Sequence, residues 1–265
     1  MQTKQEREQA FHDTAFADSI RAPVWGFYKI TRASRRAFRD WLVAEGLPGK
    51  QVLEYGSGAS AQAFFLAVQG ADVTGIDISP VAVEQGRQRA ANEHLEDRIE
   101  FRVMDAERLE FSDEAFDLVC GSAVLHHLDL SLAYPEISRV LRPGGSAIFV
   151  EPLGHNPLIN AYRNRTPSLR TVDEHPLLVS DLEQAREYFR ELEMRFFHLS
   201  SLAAIPFRNR ARFPALLSVL DQLDRGLFRV VPAVQRHAWM SVFRMADPIP
   251  RAVRAQPQGW TGAVS

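Results

Sequence analysis

The sequence predicts an α/β fold on a mostly parallel sheet, and three observations predict it. Between Gln51 and Pro152, short apolar runs of strand character alternate with segments of helical periodicity. A glycine-rich turn, Gly56-Ser57-Gly58, follows the first of those runs. Acidic residues stand at the ends of three successive runs, Glu54, Asp77 and Asp105. Strands joined through single helices need crossover connections, so the sheet is parallel and covered on both faces.

The elements follow in order. Residues 1–49 read as an amphipathic helical arm, with Phe11, Phe16, Ile20, Trp25, Phe27, Phe38, Trp41 and Leu42 set among basic residues. Pro23 and Gly26 break it, and Pro48-Gly49 make a turn. "QVLEY" is the first strand and "AQAFFLAVQG" a helix closed by Gly70. "DVTGIDI" is the second strand, after which Ser79 caps and Pro80 starts the helix "VAVEQGRQRAANEHL". "IEFRVM" and "AFDLVCGSAV" are the third and fourth strands. "LAYPEISRVL" is a helix ending before Pro143-Gly144-Gly145, and "SAIFVEP" is the fifth strand. A polar, proline-rich loop, "LGHNPLINAYRNRTPSLRTVDEHPL", comes next. A helix from about Ser180 to Leu192 leads to the strand "MRFFHLSSL". A helical insertion from about Ala211 to Val230, long enough to be a lid, precedes the last strand, "HAWMSVFRM". The chain thus divides into an arm (1–49), a cofactor core (50–152), a stretch completing the same domain (153–246) and a flexible tail (247–265).

Bulk properties exclude several function classes. Apolar residues are 46% and charged residues 24% of the 265 positions, ordinary for a globular protein. Thirty-one basic against 33 acidic side chains give a net charge of −2, which offers nucleic acid no attraction. Cys120 is the single cysteine, so a reducing, cytoplasmic setting is expected, and its place inside a strand makes it inert core. "MQTKQEREQAFHD" lacks the basic and apolar regions of a signal peptide. No apolar run reaches the ~18–20 residues of a membrane span, although "LLSVLDQLDRGLFRVV" leaves peripheral contact open. Eight histidines with one cysteine show no zinc spacing, and no metal is expected. The expected partner is a small molecule, bound by a monomer or homodimer.

The glycine turn admits two cofactors. Gly56 to Ala61 fits G-x-G-x-x-A, a dinucleotide turn, whereas Glu54 to Gly58 fits E-x-G-x-G, which holds S-adenosylmethionine. Charge separates them. A dinucleotide would bring a pyrophosphate beside Glu54, and the two repel in a partly desolvated cleft. A sulfonium and an α-ammonium both gain from the same carboxylate. Asp77, nineteen positions after Gly58, stands where an acid takes both ribose hydroxyls, though an Asp before Ser79-Pro80 also suits a plain turn. Asp105 can accept from an adenine amine. Three acids at strand ends with no basic residue suit a cationic, phosphate-free nucleoside.

"VLEYGSGAS", "VTGIDIS", "VMDAERLEF", "FDLVCGSAVLHHL" and "ISRVLRPGG", in this order, resemble class I S-adenosylmethionine-dependent methyltransferases. The likeness is nearest to the small-molecule branch grouped with ubiquinone and menaquinone biosynthesis enzymes. It implies a Rossmann-like, seven-stranded, mostly parallel sheet with an antiparallel last strand. It further implies that Gly56 and Gly58 face the methionine moiety, Asp77 takes the ribose, and Asp105 with Ala106 lies at the adenine. Ile78 and Ser122 join the candidate cofactor-binding set. Ser60 stands where the family usually has a third glycine, a small residue able to cap the next helix.

The implied activity is methyl transfer to a small, largely apolar acceptor, at oxygen first, with carbon, nitrogen or sulfur open. Such transfer needs alignment, exclusion of water and sometimes proton removal. His126 and His127 in "AVLHHLDL" and His155 in "EPLGHNP" are the candidate catalytic residues. Adjacent residues of an extended segment point opposite ways, so one of the two paired histidines at most faces substrate. Tyr28, Glu151, Asn156 and Arg163 are candidate substrate contacts, and Arg163, Arg165 and Arg170 suit an anion-recognising lid, though a solvated loop with internal ion pairs suits them better. A nicotinamide-dependent oxidoreductase is the alternative, resting on G-x-G-x-x-A alone. A cofactor-binding member repurposed for another reaction or partner is a third reading.

Overall fold

The computed structural model describes residues 3–18, 27–58, 61–166 and 175–254. The arm's break at Pro23 and Gly26, Trp25, Ser60 and Arg170 lie outside the described residues. The strands are β1 (Gln51–Tyr55), β2 (Asp72–Asp77), β3 (Ile99–Val103), β4 (Phe116–Ser122), β5 (Leu141–Pro152), β6 (Phe189–Phe197) and β7 (Met240–Pro248). They form one seven-stranded sheet in the order β3-β2-β1-β4-β5-β7-β6. β1 to β5 pair in parallel, and β7 lies antiparallel between β5 and β6. The expected sheet, with its antiparallel last strand, is the one observed.

Alternating side chains divide the core into two layers. Val52, Cys120, Ile148 and Val242 face one side, with Phe38, Trp41 and Leu42 of α2 (Arg32–Ala44) and Phe64 of α3 (Ala61–Val68). Leu53, Tyr55, Val119, Phe149 and Phe243 face the other, with Tyr134 and Ile137 of α5 (Leu130–Val140). The 38/41/42 spacing gives α2 a single apolar stripe, and fully burying each such side chain contributes about 1.5–3 kcal/mol. Ser79 caps α4 (Pro80–Asn92) as its sequence indicates, its hydroxyl accepting from Ala82 N–H.

Three stretches differ from expectation. The loop after β5 contains α6 (Pro157–Arg165), begun by Asn156, whose side chain accepts from the N–H groups of Leu158 and Ile159. The helix expected over Ser180–Leu192 stops early: α7 (Val179–Glu183) runs into a 3-10 turn, and β6 begins at Phe189. Glu191, Glu193 and Arg195 resemble a helix surface, but their alternation with Leu192, Met194 and Phe196 is a half-buried edge strand, and the charges guard that edge. The third is the expected tail. β7 extends to Pro248, Ile249 N–H donates to Tyr188 O at 2.8 Å, and α9 (Arg251–Arg254) follows.

The insertion forms α8 (Phe213–Val230), which packs on β6 and on residues 200–207, adding Phe213 and Leu217 to the first layer. α1 (Lys4–Asp18) packs instead on α4. Among the described residues no helix is long and apolar enough to cross a membrane. The chain winds outward from β1 through β2 to β3, then returns to β4 on the other side of β1. That reversal opens a crevice beyond the carboxyl ends of β1 and β4, where such sheets hold ligands.

Candidate active site

A cavity of about 200 Å³ occupies this crevice. Gly56 enters it from β1, Asp77 and Ile78 from β2, Asp105 and Ala106 from β3, and Ser122 from β4. Gly56 and Gly58 hold φ of +59° and +50°. A Cβ on Gly56 would also lie 2.6 Å from Val124 Cγ2, so only glycine passes here. Ser57 N–H donates to Ile76 O at 2.8 Å and ties the turn to β2.

Asp77 organises the floor. Its Oδ2 accepts from Gly58 N–H at 2.7 Å and its Oδ1 from Ser79 N–H at 2.9 Å. The turn reading of this residue therefore holds, and it does not use up the acceptor positions that the ligand reading needs. A carboxylate offers about four acceptor positions, so capacity for two further donors remains at a group lining the cavity. Burial raises this carboxyl above its ordinary range, and the two N–H groups oppose the rise. Asp105 lines the adjoining wall while its Oδ1 accepts from Glu107 N–H at 2.8 Å.

The cavity's cover comes from α1, through Lys4, Gln5, Glu8 and His12. Lys4 Nζ donates to Glu107 Oε1 at 2.6 Å, and Ser79 Oγ donates to Asp13. Glu8 Oε2 lies 3.1 Å from His127 Nδ1. His127 sits in a 3-10 turn (Leu125–His127), lines the cavity and is 8% exposed. Burial pushes its imidazole pKa down, and Glu8 opposes that.

Residues 53–149 match the family model described as a methyltransferase domain. Over that core the chain is similar to methyltransferase domains, and the match supports the class I, S-adenosylmethionine-dependent, small-molecule branch that its sequence motifs resemble. The chain is 29% identical over 197 residues to the methyltransferase GfsG of Streptomyces halstedii, covering 74% of this chain and 69% of that one. It is 37% identical over 114 residues to the ubiquinone biosynthesis O-methyltransferase of Alkalilimnicola ehrlichii, covering 42% of this chain and 45% of the relative. Among solved structures, phosphoethanolamine N-methyltransferase 2 of Haemonchus contortus in complex with S-adenosyl-L-methionine aligns with a TM-score of 0.62 at 18% identity, over 90% of this chain and 60% of that one. At that identity the likeness is one of fold.

Within the matched core, Gly56, Asp77, Ile78, Asp105, Ala106 and Ser122 meet around the cavity. Gly58 supports it through Asp77. Glu54 is 2% exposed, sits beside Cys120, whose thiol is pushed up by burial and further by the Glu54 charge, and is not among the lining residues.

Of the three histidines, His127 alone lines the cavity. The paired histidines stand in a tight turn rather than an extended segment, with ring centroids 4.3 Å apart. His126 Nδ1 instead meets Glu151 Oε2 at 2.8 Å. Glu151 is fully buried, and its Oε1 accepts from the N–H groups of Val124 and Leu125 at 2.8 and 2.9 Å. It builds the turn that carries His127, rather than facing an acceptor, and burial raises its pKa to about 7. His155 Nε2 accepts from Val179 N–H at 3.3 Å, away from the cavity. Asn156, 2% exposed, is committed to capping α6 and to donating to His237 O at 2.7 Å. Tyr28 is 47% exposed with its ring 6.0 Å from that of Trp239, and neither it nor Arg163 lines the cavity. Sequence reasoning missed Lys4, Gln5, Glu8 and His12. Their signal was the Glu8/His12 pair at helical spacing, one face of a helix whose destination the sequence does not give.

Proposed function

We propose that the chain transfers a methyl group from S-adenosylmethionine to a hydroxyl of a small, largely apolar acceptor. One observation carries this reading: Asp77 keeps two unspent acceptor positions at a cavity floored by a glycine turn. Two vicinal ribose hydroxyls match that capacity. Asp105 and Ala106 would hold the adenine end, and Gly56 and Gly58 the methionine end. A pyrophosphate fits poorly. Lys4 is the basic side chain among the described lining residues, and Glu107 already engages it.

When bound, the cofactor supplies an activated methyl on a sulfonium. The chain's own residues then orient and enclose. α1 covers the crevice and excludes water, while Ile76, Met104, Val124 and Leu128 offer an apolar wall. His127 is the titratable side chain of the fourth-strand turn in the cavity, and it would engage the acceptor's oxygen. The name of the ubiquinone O-methylating relative supports oxygen as the acceptor atom.

The test is calorimetry with S-adenosylhomocysteine and with NAD, followed by incubation of methyl-labelled donor with a panel of phenols, alcohols and amines. Binding of S-adenosylhomocysteine alone and label appearing on hydroxylated acceptors are expected. Binding of NAD instead would overturn the reading, and label confined to amines would overturn its oxygen preference.

A further inference from the structure

The cover and the wall of the cavity meet at one cluster, in which the methyl-transfer reading uses His127 and gives Glu8 and His12 no chemical role. Glu8 and His12 lie four residues apart on α1, one turn of helix, so both project from the same face. His127 comes from the turn after β4, 115 positions further along. Glu8 Oε2 stands 3.1 Å from His127 Nδ1 and 3.5 Å from His12 Nε2, and all three donor atoms lie within 4.8 Å of one another. Glu8 is 5% and His127 8% exposed, and the His12 side chain is 18% exposed.

We propose that Glu8, His12 and His127 form a binding site for one divalent transition-metal ion. Donors held about 2.0–2.2 Å from an ion sit roughly 3.0–3.5 Å from each other in octahedral or tetrahedral arrangement. Two edges of this triangle, at 3.1 and 3.5 Å, have that length, and the third lies within 4.8 Å. Two imidazoles and one carboxylate select zinc, iron(II), cobalt or nickel over magnesium and calcium, which want oxygen. Three protein ligands leave coordination positions open toward the cavity, as in catalytic rather than structural sites.

Charge supports the same assignment. Four carboxylates, Glu8, Asp77, Asp105 and Glu107, line the cavity against one ammonium, Lys4, an excess of three negative charges among the described residues. S-adenosylmethionine carries two positive charges and one negative, so it would offset one of those three. A divalent ion offsets the remaining two. This step rests on the proposed cofactor, whereas the ligand geometry does not.

The test uses tag-free, chelator-stripped protein of the full chain, titrated with Co²⁺ near neutral pH by visible absorption and calorimetry. One Co²⁺ per chain is expected, with ligand-field bands and micromolar or tighter affinity. Glu8→Gln and His12→Asn should each weaken binding by about tenfold or more. X-ray absorption at the zinc edge of the wild-type protein needs no variant and should show two imidazoles in a nitrogen and oxygen shell. Affinity weaker than about 1 mM, binding unchanged in both variants, or a shell without imidazole would overturn the site. S-adenosylhomocysteine titrated into the same stock separates the two readings. Cofactor binding without Co²⁺ removes the metal site alone, and tight Co²⁺ without cofactor binding removes the methyltransferase reading alone.

Discussion

Asp77 is the residue on which the cofactor reading can be broken. Its two oxygens already accept from Gly58 and Ser79 N–H groups, and the ribose hydroxyls would take the remaining positions. A hydrogen bond to a charged group contributes about 1.5–3 kcal/mol. Asp77→Ala removes two from the ligand, about 3–6 kcal/mol, so affinity for S-adenosylhomocysteine should fall roughly 10²- to 10⁴-fold. Calorimetry measures this directly, but a slackened glycine turn would also weaken binding. The control is a ligand lacking the 2′-hydroxyl. Wild-type protein should lose about 1.5–3 kcal/mol on that change, whereas Asp77→Ala should bind both ligands equally. If the variant stays within about fivefold of wild type, or still prefers the intact ribose, Asp77 does not hold the ribose.

Further outcomes are expected elsewhere in the fold. His198 is 1% exposed between Ser34 and Ser201, and burial pushes its pKa from 6.5 down to about 4. The unfolded chain therefore binds the extra proton between those values, stability falls as pH drops from 6.5 toward 4, and the loss is about 3 kcal/mol. Urea unfolding at both ends should show this slope in wild type and a shallower one in His198→Gln. An equal slope in both would locate the effect in other groups. At Glu151 the sign reverses: with its pKa raised to about 7, the folded state holds the proton, and its contribution weakens as pH rises from 4.5 through 7. Glu151→Gln should unfold near the wild-type temperature at pH 5, whereas Glu151→Ala strands the N–H groups of Val124 and Leu125, at about 1–3 kcal/mol each. Gly56→Ala and Gly144→Ala share a positive φ, yet a new Cβ meets Val124 at 2.6 Å in the first and nothing within 4 Å in the second. Melting temperature and cofactor affinity should both drop at Gly56, and Gly144→Ala should show only the left-handed backbone cost of about 1–2 kcal/mol.

The parallel core was legible because its signals are local. A strand, a glycine turn and a Ser79-Pro80 cap each declare themselves within a few residues. The Asn156-Pro157 cap was equally local, but proline nearby read as loop, which hid α6. β6 was hidden by its charges, which serve a sheet edge and look like a helix surface. The cover over the cavity was illegible for another reason. Nothing near Glu8 and His12 says that α1 returns to the turn after β4, because that contact is made between residues more than a hundred positions apart. The aromatic residues of the arm drew the reading, and its polar face carries the cavity wall.

Acids at strand ends looked alike in sequence, and the structure separates them by how much acceptor capacity each has left. Glu151 ends β5 much as Asp77 ends β2, and both are buried. Glu151 spends one oxygen on two backbone N–H groups and the other on His126, and it has no exposed surface. Its work is to fix a turn. Asp77 spends one position on each oxygen and keeps 8% of its surface at the cavity. A buried carboxylate whose partners are all protein has its desolvation offset within the fold, whereas one with capacity in reserve is stabilised further when a donor arrives. On that criterion Asp77 and Asp105 are the acids we assign to the proposed ligand, and Glu151 is part of the scaffold. Glu8 stands between them, bound to two imidazoles by contacts that a cation would replace, and this is why the test of the site is made on a metal ion.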